Sequence, residues 1–457
     1  MSPIASKNIT IGYFNLLGKK FISRAVIDEN FLRLLSGYVN VKIISLAKAD
    51  EIIAKFNEIE KYKLDYLYID SFGFLMESFL LREKSGINVP FICNVHTVVP
   101  WAFKYTCIIP LIQEYDIIFA PSQYARQSIL RISDKLNVHV IPYVLDVRRI
   151  ENIAEAARKK RSDKYKIISF LGRISKGKGI GSLISCMPDI AKRVKNARLH
   201  IMGPLNGHGI ADTPKCSYVK YLERKIKRLN LEGKIRFLGV QLGDDKYRAL
   251  ASSDLFVNPT IAKEETFSAV NTEALACGLP IIVTDWAGNN ELVKHGRNGY
   301  RIDVKEGRKR TVEMDKKKAV LFITKALNDG RLRARFKRGS IKSGRTYDYK
   351  KILPVFIKLL KKRKAGKKSS GWNIIKNKAP IDFKDMFTKG VAFFIHFDSE
   401  LRMNTYGFLY KRMFEDSLSD CSSENISRDD AGEKRAPVLL VDSIRREYTR
   451  YLTLQSF

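Results

Sequence analysis

From its start the chain alternates short apolar runs with segments of helical period, and no other feature constrains its fold as tightly. NITIGYF (8–14), VNVKIISL (39–46), DYLYID (65–70), VPFICNV (89–95), DIIFAPS (116–122) and VHVIPY (138–143) read as strands. SRAVIDENFLRLLSG and SQYARQSILRISDKL read as helices among them. A helix between two strands carries the chain back so that the strands run parallel. Residues 1–155 are therefore expected to form an open parallel α/β domain. The alternation restarts at YKIISFLGR (165–173) and continues through ARLHIMG (197–203), GKIRFLGV (233–240), SDLFVNPT (253–260) and LPIIVTD (279–285). A second α/β domain over 165–345 follows. ENIAEAARKKRSDKYK (151–166), with basic and polar residues clustered at 158–166, reads as the linker between the two.

A chain of 457 residues agrees with two or three domains. The formal charge of +34 fits a polyanion partner, an anionic membrane surface or a phosphorylated substrate, and does not choose among them. The six cysteines have no C-x-x-C spacing and read as reduced core residues of an intracellular protein. The six histidines form no H-E-x-x-H or comparable cluster, so no protein-built metal site is expected. MSPIASKNITIGYF enters a strand at once, without the apolar core of a signal peptide. No run of about 18 apolar residues would span a membrane. A cytoplasmic protein is expected. No recognition motif with interleaved aromatics accompanies the charge, so a nucleic-acid partner is not expected.

Residues 346–370 read as a basic amphipathic helix, and 350–378 hold eleven Lys and Arg with no acidic residue. Such a face is either solvated or in contact with anionic headgroups on the inner side of a membrane. Residues 371–457 form an extension to which the sequence assigns no role, with 416–436 disordered by composition.

Chemistry gathers in the second domain. EETFSAVNTEALACGLPIIVTD, starting at Glu264, places Glu265 before a helix and Glu273 inside it. Eight residues at about 1.5 Å each span roughly 12 Å, too far for both carboxylates to act on one atom. The spacing suits anchors at opposite ends of one elongated ligand. Between them the N–H groups near Thr266, Phe267, Ser268 and Ala269, at the helix start, favour an anion. LGRISKGKG (171–179) offers Arg173 and Lys178 among glycines at a βα turn, suited to phosphate. IMGP (201–204) adds a strand end with Gly203. Two tandem open sheets would place a cleft outside the carboxyl ends of their strands, where these pieces converge.

E-T-F-S-A-V-N-T-E-A-L-A-C-G-L-P, with G-R-x-x-x-x-K-G upstream, resembles the glutamate-seven-glutamate signature of family 4 retaining glycosyltransferases. The likeness is specific over 165–300, diffuse over 1–150 and absent from 370–457. It implies the GT-B fold: two Rossmann-like open parallel-sheet domains facing a cleft, here with a C-terminal extension. It also implies that Arg173 and Lys178 hold the donor diphosphate, Glu265 the sugar hydroxyls and Glu273 the ribose hydroxyls. His96 matches the family histidine beside the transferred sugar. Gly18, in the reduced first-domain loop Leu17-Gly18-Lys19, matches the family's glycine loop. The family often carries glycine where this chain has Thr266 and Ser268, which alters the donor-sugar pocket. The implied reaction moves a sugar, with retention, from a UDP- or GDP-linked co-substrate to a glycan or lipid-linked acceptor. Fixed cations and a helix N-terminus suffice to stabilise the departing diphosphate without a metal, and no resident cofactor is implied. Another GT-B enzyme, an epimerase or a phosphorylase, is the alternative.

Overall fold

The computed structural model describes residues 8–16, 22–46, 59–69, 78, 82, 89–96, 112–130, 136–205, 217–262, 265–306 and 312–362. The first half contains β1 (Thr10–Leu16), α1 (Ile22–Leu35), β2 (Asn40–Leu46), β3 (Tyr66–Ile69), β4 (Phe91–Asn94), β5 (Ile117–Ala120), α2 (Gln123–Leu130) and β6 (Val138–Val140). Its strands pair in the order β2-β1-β3-β4-β5-β6, every pair parallel. β3 and β5 are buried along their whole length, as expected of strands covered on both faces.

The second half begins with α3 (Val147–Lys159), β7 (Lys166–Leu171), α4 (Ile180–Arg193), β8 (Ala197–Met202), α5 (Ser217–Arg228) and β9 (Ile235–Gly239). It continues with α6 (Gly243–Ala251), β10 (Leu255–Asn258), α7 (Ala269–Ala276), β11 (Ile281–Thr284) and β12 (Gly299–Ile302). The hairpin β13 (Val304–Glu306) and β14 (Val312–Met314) precedes α8 (Lys316–Asn328), α9 (Gly330–Gly344) and α10 (Tyr349–Lys361). The second sheet runs β12-β11-β10-β7-β8-β9, again all parallel. Counted from its own first strand this is the 3-2-1-4-5-6 order of a Rossmann sheet read from the other edge. The expected α/β architecture is present in both halves.

Both faces of the second sheet are covered, and the alternation of its side chains explains how. Ile168, Phe170, Leu199, Ile201, Leu255 and Val257 share a core with α4, α5, α8 and α9. Leu171, Met202, Phe256, Ile281 and Val283 point into the other core, against α3, α6 and α7. Successive residues of one strand thus enter opposite cores, as a period of two requires.

Packing corrects one expectation and adds to another. The stretch read as a linker begins as helix α3, capped by Asp146, whose carboxylate accepts from the Arg149 N–H at 3.2 Å. Val147, Ile150 and Ala154 lie on one face at helical spacing, and that face joins the second sheet's core. The basic amphipathic helix is α10. Its apolar stripe of Ile352, Leu353, Phe356, Ile357 and Leu360 is not free, because it packs into the first sheet's core with Tyr13, Tyr66 and Phe119. Phe356 lies 5.0 Å from Phe119 and 5.9 Å from Phe31, centroid to centroid. Tyr66 donates its hydroxyl to the Leu360 carbonyl at 2.7 Å. The chain therefore returns to its first half after building the second. The basic run beyond Lys362, Gly18 and the extension 371–457 lie outside the described residues.

Candidate active site

The order of the second sheet reverses between β7 and β10, and in open α/β sheets ligands bind outside the strand ends at such a switch point. The turn after β7 and the segment after β10 meet there. Ile261 N–H donates to the Gly177 carbonyl at 2.8 Å, and Thr260 Oγ1 donates to the same oxygen at 3.2 Å. Gly179, at φ +69°, closes this approach: a Cβ there would lie 2.0 Å from the Pro259 carbonyl oxygen. Gly203 stands against Gly172, whose carbonyl oxygen would be 1.9 Å from an added Cβ. Both positions thus need glycine for close backbone contact as well as for their positive φ. In this way the Gly-rich turn, the end of β8 and the glutamate motif are packed into one locality.

Lys178 lies in the short turn that precedes α4, and its ammonium is ion-paired with Glu265. The side chains are 20% and 8% exposed, so the pair is reachable from solvent chiefly through the lysine. Arg173 is exposed in the same turn. Glu265 is fixed through its backbone: its N–H donates to the Ala262 carbonyl at 3.2 Å, and its carbonyl accepts from Gly288 N–H at 2.9 Å.

Inside α7, Glu273 is buried and pairs with Lys246 of α6, Oε1 to Nζ at 2.5 Å. Sequence reading missed this lysine. A buried carboxylate demands a cation, but nothing in the spacing says that it comes from 27 residues upstream. The Lys246 ammonium also lies 5.0 Å from the Tyr247 ring centroid. Burial, then the Glu273 charge, pushes the Cys277 thiol up to about 12, against the opposing pull of Arg158 and Lys246. Burial, followed by the same carboxylate, raises the Tyr247 hydroxyl as well.

Thr266 and Ser268, the two departures from glycine, both have their hydroxyls engaged. Thr266 Oγ1 donates to the carbonyl of His96 at 2.5 Å, while the Thr266 carbonyl accepts from Ser122 Oγ at 2.5 Å. The motif is thereby tied twice to the first sheet. Glu291 adds a third tie, accepting from the N–H groups of Gln123 and Tyr124 at the start of α2, at 2.9 and 2.5 Å. Ser268 is the N-cap of α7 but makes no side-chain cap bond. Its hydroxyl instead accepts from Asn258 Nδ2 at 2.9 Å, in a buried chain that runs on to Asn271 and Asn289. Ala269 is the first helical residue.

His96 follows β4, and its Nδ1 lies 2.7 Å from the Tyr143 hydroxyl. The rings stack at 5.6 Å. Phe267 meets Tyr143 edge-on at 5.3 Å. The structure thus joins His96 to Thr266 directly and to Phe267 through Tyr143, and Lys178 to Glu265, while Glu273 pairs with Lys246. Tyr143 and Ser122 were not singled out in the sequence, because a Tyr or Ser at a strand end carries no signal until the tertiary neighbour is known. Among the described residues, no group of three or more His, Cys, Asp or Glu could hold a metal ion. Likewise, no helix among them is long and apolar enough to cross a membrane.

Residues 152–342 match the family Glycosyl transferases group 1. Mannosylfructose-phosphate synthase of Agrobacterium fabrum is 29% identical over 171 residues, 36% of this chain and 37% of its own length. N-acetyl-alpha-D-glucosaminyl L-malate synthase of Bacillus anthracis is 31% identical over 143 residues, 31% of this chain and 33% of its own. The chain thus spans about a third of the length of these curated relatives. The crystal structure of Anabaena HepE in complex with UDP and glucose superposes with a TM-score of 0.61 at 17% identity, over 78% of this chain and all of that one. A glycosyltransferase from Rickettsia africae superposes with a TM-score of 0.62 at 16% identity, over 79% of this chain and 99% of that one. The fold is that of GT-B glycosyltransferases, and the match to the group 1 family falls on the second half of the chain.

Proposed function

We propose that the protein is a retaining glycosyltransferase that moves a sugar from a nucleotide-sugar donor to a hydroxyl of a glycan or lipid-linked acceptor. The observation that carries this reading is the arrangement around α7. One carboxylate–lysine pair stands just ahead of an eight-residue helix and a second on its buried interior, and the N-terminus of that helix lies at the switch point of a Rossmann sheet. Neighbours of the same fold are complexes with UDP and with UDP-glucose, which favours a uridine donor.

In this reading the diphosphate lies against Arg173, Lys178 and the first N–H groups of α7, which stabilise the charge that grows as the sugar–phosphate bond breaks. Glu265 accepts from sugar hydroxyls, and Lys178 shifts between that carboxylate and a phosphate oxygen. Glu273 accepts from the ribose. His96, held by Tyr143, stands beside the transferred sugar, and the acceptor enters from the first sheet. Contact with anionic headgroups rests on the exposed lysines of α10, Lys351, Lys358 and Lys361, since its apolar stripe is buried.

A thermal-shift and hydrolysis screen against UDP-, GDP- and ADP-sugars tests the reading. At a hundredfold excess over Kd the true donor should stabilise the fold by about 2.7 kcal/mol. Failure of all three classes to bind would overturn the proposal. So would release of an epimerised donor with no glycosidic product.

A further inference from the structure

The Lys246–Glu273 pair raises a question that stability does not answer. Its side chains are 8% and 11% exposed. A buried ion pair is generally no more stabilising than apolar residues of the same volume, because both charges must be desolvated. Yet the pair stands on two different helices, α6 and α7, at the candidate nucleotide end of the site. Its two members are not equally committed. Glu273 Oε1 receives the Lys246 ammonium at 2.5 Å, whereas Oε2 accepts no hydrogen bond among the described residues and is not among their sealed, unpartnered atoms. Lys246 is itself held, by its helical backbone and by the Tyr247 ring under its ammonium.

We propose that Lys246 is a positioning residue for nucleotide recognition: it fixes one oxygen of the Glu273 carboxylate so that the other is presented to a ribose hydroxyl. The proposal rests on the reading of Glu273 as the ribose anchor. Lys246 does not touch the nucleotide in this arrangement. It narrows the orientations of a carboxylate that would otherwise rotate about its side-chain torsions, and so sharpens the choice of ribose over deoxyribose.

The test measures dissociation constants of UDP and GDP and of their 2′-deoxy and 3′-deoxy counterparts, by titration calorimetry, for the wild type and variants. The wild type should prefer one ribose diphosphate over a deoxy counterpart by roughly ten- to hundredfold, the range of one hydrogen bond to a charged group. Lys246→Met should bring that ratio to within about twofold of unity, as should Glu273→Gln. Lys246→Arg, which keeps a cation, should retain part of the preference. A purely structural lysine would lower thermal stability and leave the ratio intact, and that result would overturn the inference. If Lys246→Met does not fold, Lys246→Gln decides: an unchanged ratio there overturns the proposal, and a ratio reduced at least threefold supports it. The two levels fail differently. A wild type that binds no nucleotide sinks the functional reading and this proposal with it. A wild type that binds with the ribose preference, which the lysine variants then keep, sinks this proposal alone.

Discussion

Lys178–Glu265 lies just ahead of α7 and Lys246–Glu273 within it, and each joins a motif glutamate to a lysine from an earlier element. Their settings differ. Lys178 comes from a glycine turn and keeps 20% of its side chain exposed, whereas Lys246 rides on a helix and keeps 8%. A partly solvated lysine on a turn can exchange one anionic partner for another. A buried lysine locked over an aromatic ring cannot do so without leaving its carboxylate uncompensated. The lysine of one pair is thus free to change partners, whereas the lysine of the other is held in place.

The largest expected effect falls on the buried pair. Lys246→Met should destabilise the fold by about 3–5 kcal/mol, because it strands a buried carboxylate, and replacing both partners with Met should recover most of that loss. Urea denaturation of the two variants measures it. A Lys178→Met variant that loses as much stability would erase the contrast. Lys178→Met also strands a buried carboxylate, but the lysine it removes is partly solvated and leaves Glu265 a path to water, so a smaller loss of about 1–3 kcal/mol is expected, with donor turnover reduced roughly 10²–10³-fold, the usual loss for one preorganised group facing developing charge. Steady-state hydrolysis of the identified donor gives that ratio. A turnover near that of the wild type would remove Lys178 from the diphosphate's path.

A smaller effect should appear at the clasp. Thr266→Val removes the hydroxyl that reaches the His96 carbonyl while keeping the side chain's shape, so about 1 kcal/mol should be lost. This change should couple with Lys178→Met, its neighbour through Glu265, by at least ~0.5 kcal/mol in a double-mutant cycle. With Glu273→Gln it should add within ~0.5 kcal/mol. Equal coupling to both ends would mean that α7 transmits the clasp along its length, and the two ends would cease to be separate devices.

Much of the fold was open to sequence reading because strands buried on both faces leave continuous apolar runs that polar turns cannot mimic. β3, β5, β10 and β11 are such runs, and all four were read as strands. β12 was missed since its four residues, Gly-Tyr-Arg-Ile, are too short and too mixed to stand out from the preceding turn. The reading of 151–166 as linker gave too much weight to charge: Val147, Ile150 and Ala154 carry the helical period just ahead of the basic cluster. Glu265, Glu273, Lys178 and Gly203 could be singled out as candidates because local backbone needs and spacing draw attention to them. Lys246, Tyr143 and Ser122 were not, because their partners are set by how helices and sheets pack rather than by any interval along the chain.

At neutral pH the last contrast is silent, and it emerges only in alkali. The Cys277 thiol sits beside Glu273 and is pushed up to about 12, while Cys186, on the buried face of α4 and owing nothing to either pair, is pushed up to about 11 by burial first. A folded-state value raised above the unfolded one favours the protonated, folded thiol. The corresponding stability is complete below the ordinary thiol range, near 8.5, and drains away as pH climbs toward the folded value. The loss should approach ~1.4 kcal/mol per pH unit for each such thiol across that window. Unfolding free energies taken from pH 8 to 11 should therefore fall in the wild type and fall less steeply in Cys277→Ala. Glu273→Gln should shallow the Cys277 contribution too, because the carboxylate is the second cause of its shift, and should leave the Cys186 contribution where it was. A slope that Glu273→Gln does not alter would mean that the buried carboxylate exerts no charge on its surroundings, and the contrast between the two pairs would lose its electrostatic basis.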